Sequence, residues 1–233
     1  MRNVSLRVTR RVVATRMSAD QVTLSMIAVG LFGAVALAVP GVGPAIVAVL
    51  LIQAYLLLDC VDGEVARWRA TTGARGIFLD RIGHYAVEGA LLGALGVRAD
   101  GVLARGLSDV TVTSIGGWTA LGTLAASLHL LSKAESDLVT VARALAELPP
   151  TAERNHLSRH DVARRARQAL ARLPLHRVLG AVELSLAALV VAVVDAATGG
   201  TASTRVLTFA AAVIALVVAV GHAFTILTSD RLR

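Results

Sequence analysis

The chain has 233 residues, of which 55% are hydrophobic and 17% charged, and its mean hydropathy is +0.69. The polar residues are too few to cover this much apolar surface, which excludes an ordinary water-soluble enzyme and favours a bilayer as the solvent. The single cysteine, Cys60, excludes an intrachain disulfide. The net charge of +7 comes with only 3% aromatic residues and is not gathered on one element, so we do not expect nucleic acid binding.

The first predicted element is a basic amphipathic helix within residues 1–20, which we expect to lie in the interface of the anionic inner leaflet. Its basic residues are Arg2, Arg7, Arg10, Arg11 and Arg16, and its apolar residues are Val4, Leu6, Val8, Val12 and Val13. The alternative is the basic region of a signal peptide, because Ala36 to Ala38 has the pattern of a cleavage site.

Six apolar segments follow, each long enough to cross roughly 30 Å of hydrocarbon, which takes about 20 residues. They lie at 21–39, 43–60, 77–97, 110–131, 178–197 and 206–228. Proline and glycine residues after the first and fifth segments predict tight turns. We therefore predict an all-α integral membrane protein with six transmembrane helices over 21–233, interrupted by a cytoplasmic excursion at about 133–177.

Basic residues are distributed unevenly between the two sides of such a protein. If the N-terminus and every second loop share one side, that side holds 20 of the 23 lysines and arginines. The other side has Arg98, Arg105 and Arg205. By the positive-inside rule, we expect both termini to be cytoplasmic.

Ionisable residues cluster where the second predicted span ends and the third begins. Asp59 and Asp62 are three residues apart, and Asp80 and His84 are four apart, so each pair projects from one face of its helix. Both pairs lie at the cytoplasmic ends of adjacent spans. We expect three carboxylates and an imidazole to meet across a cleft, and charges placed there are costly enough to indicate function.

Carboxylates this close repel one another unless a cation compensates their charge. Mg²⁺ or Mn²⁺ would do so, and these ions commonly arrive with substrate phosphates. Gly63 allows close backbone approach, Ala66 leaves space beside it, and Arg67 can form a forked contact with a diphosphate. Gly76 opens the next helix, whose N-terminal amides suit an anion. The cluster therefore predicts a substrate that carries phosphate.

Seven of these residues stand in the pattern DxxDGxxAR, eight residues, then GxxxD, which resembles the CDP-alcohol phosphotransferase (CDP-alcohol phosphatidyltransferase) family. They are Asp59, Asp62, Gly63, Ala66, Arg67, Gly76 and Asp80. The family pattern continues to a fourth aspartate, and this chain has His84 at that position. The similarity covers the first three spans by motif and the remainder by topology.

The resemblance implies a six-helix membrane enzyme, usually a homodimer, that takes a CDP-linked donor and an alcohol acceptor and releases CMP. It implies one or two Mg²⁺ or Mn²⁺ ions held by Asp59, Asp62 and Asp80, with His84 in the place of the fourth ligand. It also assigns the nucleotide to a set of seven residues: Asp59, Asp62, Gly63, Ala66, Arg67, Gly76 and Asp80.

Three roles are open for His84: general base, metal ligand, or a bystander in a degenerate site. A hydroxyl nucleophile must lose its proton, and imidazole is an able base near neutral pH. Glu88 lies one turn further along the same face, where a carboxylate could orient the ring. We predict that His84 is catalytic and that Glu88 supports it.

Other ionisable residues lie near the same level of the membrane. His129 and Lys133 are candidates for contact with the acceptor or a lipid phosphate, and interfacial snorkelling is the alternative for Lys133. Glu183 and His222 are expected to be buried and to pair across helices, with a cavity or a dimer contact as the alternative. Ser18 or Asp20 is expected to cap the first span, with substrate contact as the alternative.

We therefore predict transfer of a phosphatidyl group from a CDP-linked lipid, with CDP-diacylglycerol favoured, to the hydroxyl of a small polar alcohol. The expected location is the plasma (inner) membrane of a bacterium. Two alternatives are a degenerate relative that binds a CDP-lipid without turnover, and a proton-coupled transporter that uses Asp80, His84 and Glu88 as a relay. The transporter leaves the glycine, alanine and arginine spacing of the motif unexplained.

Overall fold

The computed structural model describes residues 2–105, 116–148 and 178–228. These residues form seven α-helices and one 3₁₀ turn at Val102–Arg105, without a strand, which confirms the all-α class for the described part of the chain. The helices are α1 (Arg2–Val13), α2 (Ala19–Ala38), α3 (Val42–Trp68), α4 (Ala74–Asp100), α5 (Gly117–Leu145), α6 (Ala181–Thr198) and α7 (Ala202–Leu227).

Each of the six predicted apolar segments overlaps one of the helices α2 to α7, and residues 110–115 of the fourth segment lie outside the described residues. Four of them, α2, α3, α6 and α7, are long and apolar enough to cross a membrane. Their length and composition indicate a multi-pass membrane protein. Helix α4 carries six charged residues and α5 carries four, and the place of these two helices in the topology is part of the proposal below.

Two helices extend beyond the segments that hydropathy predicts. Helix α3 continues past residue 60 to Trp68, so the first half of the motif is itself helical. Helix α5 continues past residue 131 to Leu145, so the predicted excursion begins as a continuation of this helix. The part of the excursion at 149–177 lies outside the described residues.

Helices α2, α3 and α4 form the part of the bundle that positions the motif residues. Helix α2 packs against both α3 and α4, while α5 and α7 pack against the other side of α4. The core between α2, α3 and α4 contains the fully buried side chains of Met26, Ile52 and Leu91. Within a bilayer, close packing of this kind is a main source of helix association.

Two glycines allow α4 and α5 to approach closely. A Cβ atom on Gly96 would lie 2.5 Å from the carbonyl oxygen of Trp118, and one on Gly122 would lie 2.8 Å from the Cα atom of Gly96. Since real Cβ atoms do not come this close to backbone, larger residues here would push the helices apart.

At the same end of the bundle, Arg98 donates to the carbonyl oxygen of Val39 at 2.7 Å and fixes the turn after α2.

Helix α1 packs along the last turns of α3. Val8, Val12 and Val13 pack against the buried side chains of Val61 and Val65, so these valines contact protein. On the same inner face, two hydroxyl groups bind one carboxylate: Ser5 Oγ donates to Glu64 at 2.8 Å and Thr9 Oγ1 at 2.5 Å. The predicted N-terminal helix is therefore present and attached to the helix that carries the motif.

Arg69 closes the carboxyl end of α1. Its guanidinium donates to the carbonyl oxygens of Val12 and Val13, both at 3.4 Å, and beyond the helix to those of Thr15, at 2.9 Å, and Met17. A cation at this position satisfies carbonyl groups that the helix end leaves unpaired and complements the helix dipole. Arg69 follows directly after α3, so both ends of the α1–α3 contact are fixed by polar groups.

Candidate functional site

The site lies between the first turn of α2, the last turns of α3 and the first turns of α4. Ser18 caps α2, since its hydroxyl accepts from the backbone N–H of Gln21 and the Gln21 side chain accepts from the backbone N–H of Ser18. This reciprocal cap confirms the prediction for Ser18. Asp20 instead forms an ion pair with Arg75, with 2.9 Å between Oδ2 and Nε.

A cavity of about 260 Å³ occupies the space between these helix ends. Six of the seven motif residues line it: Asp62, Gly63, Ala66, Arg67, Gly76 and Asp80. The remainder of the lining is Ala19, Asp20, Thr23, Thr71, Thr72, Gly73 and Ile77. Motif residues that the chain separates by a turn and the start of a new helix therefore meet around one space.

Asp62 forms the inner wall of this cavity and is 7% exposed. The Thr23 hydroxyl of α2 donates to Asp62 Oδ2 at 2.7 Å. This bond holds one carboxylate oxygen against α2. Sequence reasoning missed the contact, although Thr23 stands near the start of α2, at the level where α3 carries Asp62.

Gly63 and Arg67 lie one helical turn apart on the same wall. A Cβ atom on Gly63 would lie 3.1 Å from Arg67 Nη1, so the guanidinium lies over the bare glycine backbone. Opposite them, α4 begins at Ala74 without a side-chain cap, and Gly73 and Gly76 at that end also line the cavity. A guanidinium and an uncapped helix N-terminus facing one space suit an anion such as a diphosphate.

Asp59, Asp80 and His84 form a second group beside the cavity. His84 Nε2 lies 3.1 Å from Asp59 Oδ1 and 3.4 Å from Asp80 Oδ1. One ligand atom from each of the three residues lies within 4.8 Å of the others. Asp80 belongs to both the cavity lining and this group, whereas Asp62 lies outside the group and Asp59 outside the lining.

The other ring nitrogen of His84 contacts Tyr55. Carboxylate oxygens only accept hydrogen bonds, so Nε2 carries the proton that is shared with Asp59, and Nδ1 accepts from the Tyr55 hydroxyl in the neutral ring. The two rings meet edge to face with centroids 5.6 Å apart. Tyr55 lies one turn before Asp59 on α3, and this spacing is the signal that could have identified it.

The donor set fits a divalent cation. Ligand atoms of one Mg²⁺ or Mn²⁺ ion lie about 2.1 Å from the ion, so atoms within 4.8 Å of one another need only a small inward movement of the side chains to share it. Carboxylate oxygens are the preferred ligands of these ions. Within the described residues, this group is the one place where three side chains with metal-ligating atoms meet.

Glu88 has partners other than His84. Its Oε2 atom accepts from His129 Nε2 at 2.7 Å and forms an ion pair with Lys133, both on α5. The contact to His84 that we expected from Glu88 is instead made by Tyr55. His129 and Lys133, the acceptor candidates, are thus both paired with a buried carboxylate.

Further polar pairs link α4, α5 and α7 along the same side. Asp137 accepts from the Tyr85 hydroxyl at 2.6 Å and also forms an ion pair with Arg81. His222 Nδ1 lies 3.1 Å from Glu135 Oε2, so His222 pairs across helices as predicted, whereas Glu183, which we expected to be buried, is exposed. Each charged group in these contacts therefore has a partner on a neighbouring helix, as a low-dielectric surrounding requires.

Comparison with known proteins identifies the segment that contains the site. Residues 16–97 match the family model described as CDP-alcohol phosphatidyltransferase. Among curated proteins, no sequence matches the chain. The matched segment includes α2, α3, nearly all of α4, and every residue of the cavity and of the Asp59–Asp80–His84 group. The resemblance carried by the motif is therefore confirmed over this part of the chain.

Proposed function

We propose that this protein transfers a phosphatidyl group from a CDP-linked lipid to the hydroxyl of a small polar alcohol and releases CMP. The observation that carries the proposal is the meeting of six motif residues around one cavity, within a segment that matches the CDP-alcohol phosphatidyltransferase family. CDP-diacylglycerol is the proposed donor. Its acyl chains would remain in the bilayer while its nucleotide enters the cavity from the cytoplasmic side.

The cavity would hold the diphosphate of the donor. Arg67 forms two parallel hydrogen bonds to phosphate oxygens, and the amides at the start of α4 face the same charge. Gly63 allows the nucleotide to lie against the α3 backbone, since no side chain intervenes. Ala66 has a small side chain and Gly76 has none, so the cavity keeps room for a nucleotide to enter.

Asp59, Asp80 and His84, with Asp62 on the adjoining wall, would hold one or two Mg²⁺ or Mn²⁺ ions. When bound, the metal neutralises the carboxylates and offsets the charge that develops on the diphosphate and on the leaving CMP. Asp62 is kept in position by Thr23, and Asp80 lies at the border between the cavity and the carboxylate–imidazole group.

The acceptor hydroxyl attacks the β-phosphorus of the donor in this proposal. A new bond forms between the hydroxyl oxygen and the phosphorus, the bond from that phosphorus to the bridging oxygen breaks, and CMP leaves with the electron pair. His84 takes the hydroxyl proton at Nε2 in the tautomer whose ring proton lies on Nδ1, where the Tyr55 oxygen accepts it. Nε2 then presents a free lone pair on the side of the carboxylate group. Tyr55 holds Nδ1 and so fixes the direction in which Nε2 points.

The topology proposed for this reaction has six membrane spans, α2 to α7, with α1 at the cytoplasmic interface and both termini in the cytoplasm. The uneven distribution of basic residues supports the orientation. The polar pairs of α4 and α5 support their placement in a membrane, because each of these charges is matched on a neighbouring helix. A homodimer is part of the same proposal, and cross-linking in native membranes tests it.

Turnover by the purified protein tests the proposed function. The full chain in lipid nanodiscs is given labelled CDP-diacylglycerol, Mg²⁺ or Mn²⁺, and a panel of polyols, sugar phosphates and amino alcohols. We expect one alcohol to yield a labelled phosphatidyl product together with an equal amount of CMP. Donor binding without CMP release from any combination would instead identify a degenerate CDP-lipid binder.

A further inference from the structure

A second cavity lies between α1 and the end of α3, away from the motif. Its volume is about 450 Å³, and its lining is Leu6, Arg7, Thr9, Arg10, Val13 and Trp68. It shares no lining residue with the motif cavity. The proposed reaction therefore leaves this second cavity without a role.

The cavity combines two cations with an apolar wall. Arg7 and Arg10 are exposed, and neither forms an ion pair with a carboxylate of the described residues. Helix α1 contains no acidic residue. The one hydroxyl in the lining, that of Thr9, is already bonded to Glu64, so the charged donors of the cavity are the two guanidinium groups.

The apolar part of the lining is open to the surroundings. Trp68 is 76% exposed and Leu6 is 50% exposed, although both are large hydrophobic side chains. Tryptophan is enriched where the hydrocarbon of a membrane meets its headgroups. Trp68 ends α3, a helix long and apolar enough to cross the membrane, and this places the cavity at the level of the headgroups.

We propose that this cavity binds an anionic phospholipid of the bilayer, with its phosphate at Arg7 and Arg10 and the upper part of an acyl chain along Leu6, Val13 and Trp68. The guanidinium groups match the phosphate in charge and can donate in pairs to its oxygens. The apolar wall favours a lipid over free phosphate, which would leave that wall in contact with water.

The second cavity lies beside the contact between α1 and Glu64 of α3. The same stretch of α1 donates to Glu64 through Ser5 and Thr9, and Glu64 follows directly after Gly63 of the motif cavity. A lipid seated between α1 and Trp68 would therefore hold α1 against the helix that lines the donor site. This inference goes beyond the proposed function, and lipid binding is measured without turnover.

Fluorescence quenching of Trp68 tests the proposal. The chain has two tryptophans, so Trp118→Phe leaves Trp68 as the sole tryptophan reporter. This variant is placed in phosphatidylcholine bilayers that contain an increasing mole fraction of lipid brominated near the headgroup, either phosphatidylglycerol or phosphatidylcholine. We expect brominated phosphatidylglycerol to quench Trp68 more strongly at every mole fraction, with saturation.

Matched variants separate the cavity from general surface charge. Arg7→Gln with Arg10→Gln should weaken the apparent affinity for phosphatidylglycerol by about fivefold for each arginine removed. Arg11→Gln with Arg16→Gln changes the same charge on exposed residues outside the lining and should weaken the affinity clearly less, because these side chains add only diffuse attraction to the anionic surface. Circular dichroism checks that all variants keep their helical content.

Three results would overturn the proposal. Equal quenching by the two brominated lipids would show that no anionic lipid is selected. Equal losses in the two double variants would show that only diffuse charge attraction acts. Displacement of brominated phosphatidylglycerol by CMP with Mn²⁺ would show that the cavity belongs to the donor site, whether or not the protein catalyses transfer.

Discussion

The Nε2 atom of His84 lies 3.1 Å from the Oδ1 atom of Asp59, and this contact joins α4 to α3 at the edge of the motif cavity. The two helices both pack on α2, so side chains bridge the space between them. Tyr55 reaches the opposite nitrogen of the same ring. The imidazole is therefore held from both sides, with Nε2 directed at the two carboxylates that could bind a cation.

Replacing His84 with alanine should lower kcat by about 10²-fold or more, the range typical for loss of a general base. The donor KM should change much less, because Arg67 and the start of α4 make the proposed diphosphate contacts. Steady-state CMP release at several pH values measures both constants. His84→Asp should recover part of the rate, and an alanine variant with the full rate at every pH would contradict the base role.

The Tyr55→Phe variant tests the positioning of His84. It removes the hydroxyl that contacts Nδ1 and keeps the edge-to-face packing of the rings. Loss of one such hydrogen bond, worth about 1 kcal/mol, should lower kcat by about fivefold with little change in KM. If the melting temperature falls and the protein that stays folded turns over at the wild-type rate, the role of the Tyr55 hydroxyl is purely structural.

Gly63→Ala should raise the KM for the CDP-linked donor by about tenfold, since forked contacts from a guanidinium to phosphate are strong and depend on geometry. The new Cβ atom would lie 3.1 Å from Arg67 Nη1 and would displace the guanidinium. Gly93→Ala is the control, because a Cβ atom there has no neighbour within 4 Å. An unchanged donor KM for Gly63→Ala would place the diphosphate elsewhere.

Glu88→Gln should lower stability and spare catalysis. Glu88 is 8% exposed and pairs with His129 and Lys133, so the variant leaves a half-buried ammonium without its carboxylate. Breaking a buried ion pair in this way costs about 3 kcal/mol. Thermal unfolding should therefore shift downward while kcat of the folded fraction stays constant. Abolished turnover with unchanged stability would instead favour a proton relay through Glu88.

The helices and the motif cavity could be predicted largely from the sequence. Hydropathy located segments that overlap helices α2 to α7, and four of these helices are long and apolar enough to cross a membrane. The motif assigned seven residues to one nucleotide site, and six of them line the cavity, whereas Asp59 lies outside the lining. The match over residues 16–97 confirms the resemblance that these residues carry.

The partners of individual side chains could not be predicted in the same way. Spacing of three or four residues identifies a shared helix face but not the rotation or height of the helix opposite. For this reason Tyr55 was missed and Glu88 was assigned to His84, although it contacts α5. The contact of Glu64 with Ser5 and Thr9 depends likewise on how α1 packs on α3.

The most direct test of the central claim is alcohol-dependent CMP release by wild-type protein and by Asp80→Asn, before and after chelation of divalent cations. Asp80 lies in both the motif cavity and the Asp59–Asp80–His84 group. We predict that wild type releases CMP only with Mg²⁺ or Mn²⁺ present and that Asp80→Asn stays folded with little activity at any metal concentration. CMP release that persists after chelation, or an Asp80→Asn variant as active as wild type, would contradict the account.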